Sequence, residues 1–404
     1  MAADPVTRRN RLAVLAAVAA FIIGLCLSPN FHAGNTLYAG DFVQEYAGGW
    51  MVRHGEASRL YDEARFRAVQ HDPAVVGFTW TDDEWLPPIY PPFWYLLAVP
   101  LTYLPFRVAA LVFVALMAAA FAAALGIALR AFPAQRVHLP FMLLIAGAFS
   151  PLWQSLLSAQ KTPLLLLLFT ASYVLLRRGR PGSAGIVFGL AGFKPQLLLV
   201  IAASMLVRRQ WRFLAGVAVT ACVFGTLCLA LEPTTLSQYL AFARLAIDQP
   251  NQPWFPLERM HCWYGFFRLL WPGAPAGKVQ AATAAAGLGT LFLLIPLWRR
   301  RDDTGAVFTL QWAAVIVATI LVSPHLLEYD LALLLLPFLL LGVLLAERRP
   351  LLEEHRGLVL TMLAAVFVLA GVSRTLLPWT RTQLSVPAMV GLLAVLALPR
   401  RRPA

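Results

Sequence analysis

Charge is what this sequence has least of: only 13% of its 404 residues are charged and 59% are hydrophobic, whereas a soluble domain carries about a quarter charged residues. That shortage excludes a soluble fold, because no core of this size hides so much apolar surface. Cysteine is scarce too. Of the four cysteines, Cys26, Cys222 and Cys228 fall in apolar stretches and only Cys262 in a polar connection. Neither a disulfide framework nor paired metal-ligand spacing is present. The chain also lacks a GxGxxG or Walker loop, and its basic connections are too short to house a nucleotide-binding domain, which excludes a soluble nucleotide as substrate.

What fills the chain instead is a succession of apolar runs: Leu12 to Leu27, Val108 to Leu129, Leu139 to Leu157, Leu164 to Leu176, Leu197 to Val207, Phe213 to Leu231, Ala281 to Trp298, Ala306 to Val322, Leu331 to Ala346, Leu358 to Val372 and Val386 to Leu398. Several approach the roughly 20 residues that cross a bilayer. The net charge of +13 sits between these runs, in clusters such as Arg8, Arg9, Arg11; Arg177, Arg178, Arg180; Arg208, Arg209, Arg212; Arg299, Arg300, Arg301; and Arg400, Arg401, Arg402. With every cluster on the cytoplasmic side, the chain alternates through twelve crossings and both termini are cytoplasmic. The basic surplus is therefore a topology signal, and nucleic acid is excluded as a partner. This solution needs a short fifth span, Ser183 to Phe193, and a sixth starting near Lys194. It also needs Ile89 to Leu104 not to cross, which makes that stretch a re-entrant or interfacial helix covered by protein or a water-filled cavity. The first apolar segment has the basic flank of a signal peptide without a convincing cleavage site, and reads as a retained anchor. The expectation is a single polytopic all-α membrane domain over residues 1–404.

Two long connections, 29–88 and 232–278, then lie outside the cytoplasm. The first carries nine acidic residues (Asp41, Glu45, Glu56, Asp62, Glu63, Asp72, Asp82, Asp83, Glu84) against four arginines (Arg53, Arg59, Arg65, Arg67). Within it, Asp41 to His54 and Leu60 to Gln70 read as helices separated by Gly55. Phe42, Tyr46 and Gly49 share one face of the first and Asp41 and Glu45 an adjacent one, the pattern of an amphipathic helix on the membrane surface. The second connection is rich in Pro and aromatics, among them Pro253, Trp254, Phe255, Trp263, Tyr264, Phe266 and Phe267, which suits interfacial packing or stacking on a ligand.

Four polar islands, besides the turn Tyr90-Pro91-Pro92, punctuate this outer side. Asp41, behind Gly40, is placed to take a proton from a hydroxyl, although Asp41 with Gln44 also matches a capping box. Tyr90-Pro91-Pro92 reads chiefly as a helix start. Lys194, in Gly192-Phe193-Lys194-Pro195-Gln196, interrupts apolar sequence, and embedded ionisable groups are costly and usually functional; snorkelling to the headgroups is the alternative. Gln160-Lys161-Thr162 offers a second cation. Ser323-Pro324-His325, followed by Glu328, Tyr329 and Asp330, could supply a metal ligand, a proton shuttle or a phosphate donor, or the acids could simply cap the next span.

The ordered set of Gly40-Asp41 after the first span, Tyr90-Pro91-Pro92 opening a hydrophobic helix, Gln160 before a leucine-rich span, Gly189 to Pro195 leading to Lys194, the basic turn Arg208-Arg209-Gln210-Trp211-Arg212, and His325 followed by Tyr329 resembles glycosyltransferase family 87, polytopic transferases of the GT-C class. The chain reads Ala159-Gln160 where the family usually has Gly-Gln, and Pro195 follows the lysine directly. The resemblance implies a GT-C fold in a bacterial inner membrane and transfer of a sugar, mannose first, from a polyprenyl-phosphate donor to a glycolipid or glycan acceptor. It implies Asp41 as general base, with Lys194, His325 and Lys161 on the departing phosphate and Glu45, Tyr90, Gln160 and Tyr329 lining the substrates. Neither cofactor nor metal is expected. Twelve spans also suit a secondary transporter or flippase, but such proteins often repeat their halves and this chain does not; a lipid-binding scaffold is the third reading.

Overall fold

The computed structural model describes residues 5–27, 40–80, 85–246, 249–252, 255–300 and 305–398. Asp82, Asp83, Glu84, Pro253, Trp254, Arg301, Arg400, Arg401 and Arg402 lie outside the described residues. In chain order the helices are α1 (Pro5–Leu27), α2 (Phe42–Arg53), α3 (Glu63–His71), α4 (Pro73–Val76), α5 (Pro92–Ala98), α6 (Phe106–Ala131), α7 (Leu139–Ala148), α8 (Ser150–Leu157), α9 (Thr162–Arg177), α10 (Pro181–Gly189), α11 (Leu199–Val207), α12 (Trp211–Leu231), α13 (Thr235–Ala246), α14 (Trp263–Leu270), α15 (Ala276–Arg299), α16 (Ala306–Val322), α17 (Leu335–Ala346), α18 (Pro350–Glu353), α19 (Arg356–Thr380) and α20 (Ser385–Ala397). Short 3-10 turns join several of them, and among the described residues the β pairing is one isolated bridge, Met260 to Leu327.

Among the described residues, six helical stretches are long and apolar enough to cross a membrane: α1, α6, α12, α15, α19 and Glu328–Ala346, which ends in α17. Five shorter apolar helical stretches accompany them, including α9, α16 and α20. The protein is therefore a multi-pass membrane protein. The apolar run from Leu139 to Leu157, expected as one span, is instead bent by 67° between α7 and α8. Phe149 is extended there and Pro151 opens the second helix, so the bend follows from proline geometry.

The axis of the fold is α16, which is buried from Thr309 to Leu321 on every face. A helix apolar all round belongs in the interior, and α11, α15, α17 and α20 pack around it. The closest helix pair is α10 with α12. There Gly182, Gly185 and Gly189 recur along α10 against Gly216 and Thr220 of α12, and a Cβ at Gly185 would lie 1.9 Å from the carbonyl oxygen of Phe213. Small residues bring the backbones together, the usual way membrane helices associate where lipid removes the hydrophobic drive between them.

Two expectations about the first outer connection need correction. Helix α2 is not a surface amphipathic helix: Phe42 to Gly49 are all buried, because Gly48 lies against Tyr95 of α5, where a Cβ would meet the ring at 2.2 Å. The second helix starts at Glu63 rather than Leu60, since the Asp62 carboxylate accepts the Arg65 N–H at 3.1 Å and caps it. Residues 89–104 form only α5 and the 3-10 turn Val99–Tyr103, and this broken stretch packs on α2.

Gly185→Ala is expected to lower the thermal midpoint of the purified protein by the equivalent of about 1–3 kcal/mol of overpacking. Gly126→Ala, at a helical glycine with open space around it, should leave the midpoint unchanged or raise it slightly. Equal responses of the two variants would show that the α10–α12 contact is not tightly packed.

Candidate active site

The four polar islands meet. Gly40 has a φ of +56°, and a Cβ there would lie 2.7 Å from the backbone of Ser158, so glycine lets the chain lie flat on the turn before α9. The Asp41 N–H donates to the Ser158 carbonyl at 3.1 Å. That contact sets the Asp41 carboxylate beside the Gln160 amide, whose Nε2 donates to Asp41 Oδ2. One helical turn along α2, Glu45 Oε1 accepts from Lys161 Nζ, both side chains being fully buried. The Lys161 ammonium also lies 3.5 Å from the centre of the Tyr90 ring and 5.4 Å from that of Trp94, a cation over aromatic faces.

The other half of the site hangs on Asp330. Its Oδ1 accepts from Lys194 Nζ at 2.6 Å and from Thr162 Oγ1 at 2.6 Å. Lys194 has extended backbone (φ −128°, ψ 69°) between two 3-10 turns, which interrupts the helix and turns the side chain inward toward Asp330. Its ammonium is 5.2 Å from the Tyr329 ring centre. Beside it, Arg259 Nε donates to Glu328 Oε1 at 2.7 Å. The bridge between Met260 and Leu327, extended by the His261 N–H to the Leu326 carbonyl at 3.0 Å, stitches the second long connection to this segment. His325 meets Phe255 edge to face at 5.3 Å between ring centres.

These contacts decide between the local alternatives. The Asp41 side chain makes no capping bond to α2, so the capping-box reading fails. Lys194 is 6% exposed and ion-paired, which is not snorkelling. Glu328 and Asp330 are held by cations, and the side chain at the N-cap position, Leu327, makes no capping bond. Tyr90-Pro91-Pro92 does open α5 as its cap and first residue, and places the Tyr90 ring beneath Lys161 as well.

The family model for glycosyltransferase family 87 matches residues 89–324. The chain belongs to glycosyltransferase family 87. It is thus a membrane glycosyltransferase, and the matched residues include Tyr90, Gln160, Lys161 and Lys194, while Asp41, Glu45, His325 and Tyr329 flank them. Comparison with curated proteins and with solved structures gave no match.

In this family 87 glycosyltransferase, burial pushes the Asp41 carboxyl above its ordinary range, opposed by the nearby Lys161, Arg259 and Lys194 charges. Burial raises Glu45 likewise, against the pull of Lys161. Burial pulls the His325 imidazolium down to about 4. Three polar atoms in this region, Glu45 Oε2, Gln160 Oε1 and Trp94 Nε1, are buried with no protein partner among the described residues, and such groups are costly unless something else satisfies them. Sequence reading missed Arg259 and Trp94. Arg259 is a lone arginine within a Pro- and aromatic-rich connection and carries no motif of its own.

Lys161→Met should be strongly destabilising, by about 3–5 kcal/mol, because Glu45 then stays buried without its counter-ion. The double variant Glu45→Gln/Lys161→Met should recover most of that loss in a thermal unfolding series. A double variant no more stable than the single one would show that the pair is not the unit.

Proposed function

We propose that this chain transfers a sugar, mannose first, from a polyprenyl-phosphate donor to a glycolipid or glycan acceptor at the extracytoplasmic face of a bacterial inner membrane. The observation that carries this reading is the Asp41 carboxylate, raised by burial, held by the Gln160 amide and set among the charges of Lys161, Arg259 and Lys194. The six long helices, the bent pair and the five shorter apolar stretches support twelve crossings in a GT-C arrangement. The arginine clusters Arg177–Arg178, Arg208–Arg209 and Arg299–Arg300 lie at the ends of α9, α11 and α15. The far ends of α9 and α11 abut Lys161 and Lys194, so this supports an outward-facing site by the positive-inside rule.

The chemistry follows from the groups present. An acceptor hydroxyl attacks the anomeric carbon while Asp41 takes its proton. The bond from the anomeric carbon to the phosphate oxygen breaks, and its electron pair leaves with the lipid phosphate. Lys194, Lys161 and Arg259 stabilise that anion, helped by the N-terminus of α9. His325, neutral, donates a hydrogen bond. One displacement inverts the anomeric configuration. Glu45, Gln160, Tyr90 and Tyr329 orient the sugars. A lipid monophosphate leaving group needs no metal to balance a pyrophosphate, so the reaction proceeds without metal in this reading.

The test is incubation of purified protein in nanodiscs with a panel of radiolabelled polyprenyl-phosphate sugars and a crude lipid acceptor extract. Labelled glycolipid should form from one donor, persist in chelator, and fall by about 10²–10⁴-fold in Asp41→Asn. As the base must be deprotonated, wild-type activity should decline as pH falls through a value above the ordinary carboxylate range, a limb absent from the residual activity of the variant. Transfer that is indifferent to Asp41, or abolished by chelation and restored by added metal, would overturn the assignment of base or of metal independence respectively.

A further inference from the structure

The end of the bundle opposite the candidate active site holds an anion-binding cleft that the transfer reaction does not use. Helix α11 leaves the site just after Lys194 and ends at Val207, and α16 begins at Ala306 and ends at Val322 just before Ser323. The end of α11, the start of α16 and the end of α15 therefore share the far end. Between them is a cavity of about 1160 Å³. Its inner walls are apolar, formed by Val200, Ala203, Leu291 and Leu294, and its mouth carries Arg208, Arg209, Arg299 and Arg300. No carboxylate lines it among the described residues.

The cleft is built rather than incidental. The Arg208 guanidinium donates to Gln311 Oε1 at 2.8 Å and lies 5.1 Å from the Trp298 ring centre and 5.5 Å from that of Phe308. Gln311 is buried and fixed in turn, its Nε2 donating to the Leu297 carbonyl at 2.8 Å. A guanidinium held by a buried amide and close to two aromatic rings is positioned in advance for a phosphate. The apolar walls open sideways: Val207 is 78% exposed and Ile295 40%, on surfaces that face lipid in a membrane.

We propose that this cleft binds the phosphate headgroup of an anionic phospholipid from the leaflet at that end of the protein, with its acyl chains along α11 and α15. A soluble anion would meet the positive charge at the mouth but leave the apolar walls uncovered, whereas an amphiphile matches both. Basic pockets between membrane helices on the cytoplasmic side are suited to such headgroups. A zwitterionic lipid brings a cation to a mouth that already carries four, so the cleft selects net negative charge.

Arg209 makes a clean test possible. It holds a φ of +55°, the left-handed conformation that Gly179, with a φ of +68°, takes in the turn after α9. Arg209→Gly therefore deletes the charge at a backbone position glycine favours. Full-length protein, delipidated in neutral detergent, would be titrated with dioleoyl phosphatidylglycerol or dioleoyl phosphatidylcholine and followed by thermal unfolding and by native mass spectrometry of retained lipid. The anionic lipid should raise the midpoint by about 3 °C or more and remain bound. The Arg209→Gly/Arg299→Gln variant should fold, with a lipid-free midpoint near that of the parent, yet lose at least half of that gain. Arg130→Gln/Arg136→Gln, at a different basic connection, should keep it. Equal gains from the two lipids, retention of the gain in the cleft variant, its loss in the control variant, or the same gain from inorganic phosphate would each overturn the proposal.

Discussion

Two buried ion pairs, Lys161 with Glu45 and Lys194 with Asp330, are the constraint on which the architecture of this protein depends. An ammonium withdrawn from water costs several kcal/mol unless a counter-charge and hydrogen bonds replace the lost hydration. Each lysine sits where a helix has been interrupted, one in the turn before α9 and one between two 3-10 turns. Each carboxylate comes from a different part of the chain, more than a hundred residues away. The broken backbone and the partner segment thus need one another. Without α2 in the interior, Lys161 has no counter-ion; without the 328–334 turn, Lys194 has none.

The same constraint explains what the site offers a substrate. A lysine fully neutralised by a carboxylate gains little from a second anion, yet Asp330 Oδ1 is shared between Lys194 and Thr162, and Arg259 is held by Glu328 rather than by Asp41. The cations are positioned by their partners and still present positive field toward Asp41, as the direction of their influence on its carboxyl indicates. Burial strengthens that field because little water screens it. A site organised in this way is costly before substrate arrives and needs little rearrangement when charge develops, which is the condition for electrostatic catalysis.

Much of this was legible in the sequence, for a definite reason. Ionisable residues beside or inside apolar runs are rare enough that Lys161 and Lys194 stand out, Glu45 is found by its place one turn from Asp41, and the alternation of basic clusters puts them at one end, whereas Asp330 read equally well as a cap. What pairs with what was not legible, because nothing local connects Lys194 to Asp330. The placement of α2 was misjudged because periodicity reports which residues share a face; it does not report that Gly48 and Gly49 remove the bulk that would keep the helix off α5. The bend at Phe149 had its sign in Ser150-Pro151, but the length of the apolar run outweighed it. Arg259 was overlooked because a lone arginine among aromatics carries no motif.

The two departures from the usual pattern of family 87 have structural explanations that leave the charged groups in place. Ala159 stands where the family usually has glycine, and its φ of +50° is the conformation in which a Cβ costs roughly 1–2 kcal/mol. Alanine carries the smallest side chain that incurs this cost, and the residue is fully buried, so its methyl is packed rather than wasted while the turn still delivers Gln160 to Asp41. At the other departure, Pro195 follows Lys194 at the start of a 3-10 turn. An N–H there would have no intrahelical acceptor, so proline removes a donor that the fold could not satisfy. Both substitutions act on backbone, one tolerated at a cost and one suited to its place, and the constellation of Asp41, Glu45, Lys161, Lys194 and Asp330 survives them because its geometry rests on the ion pairs.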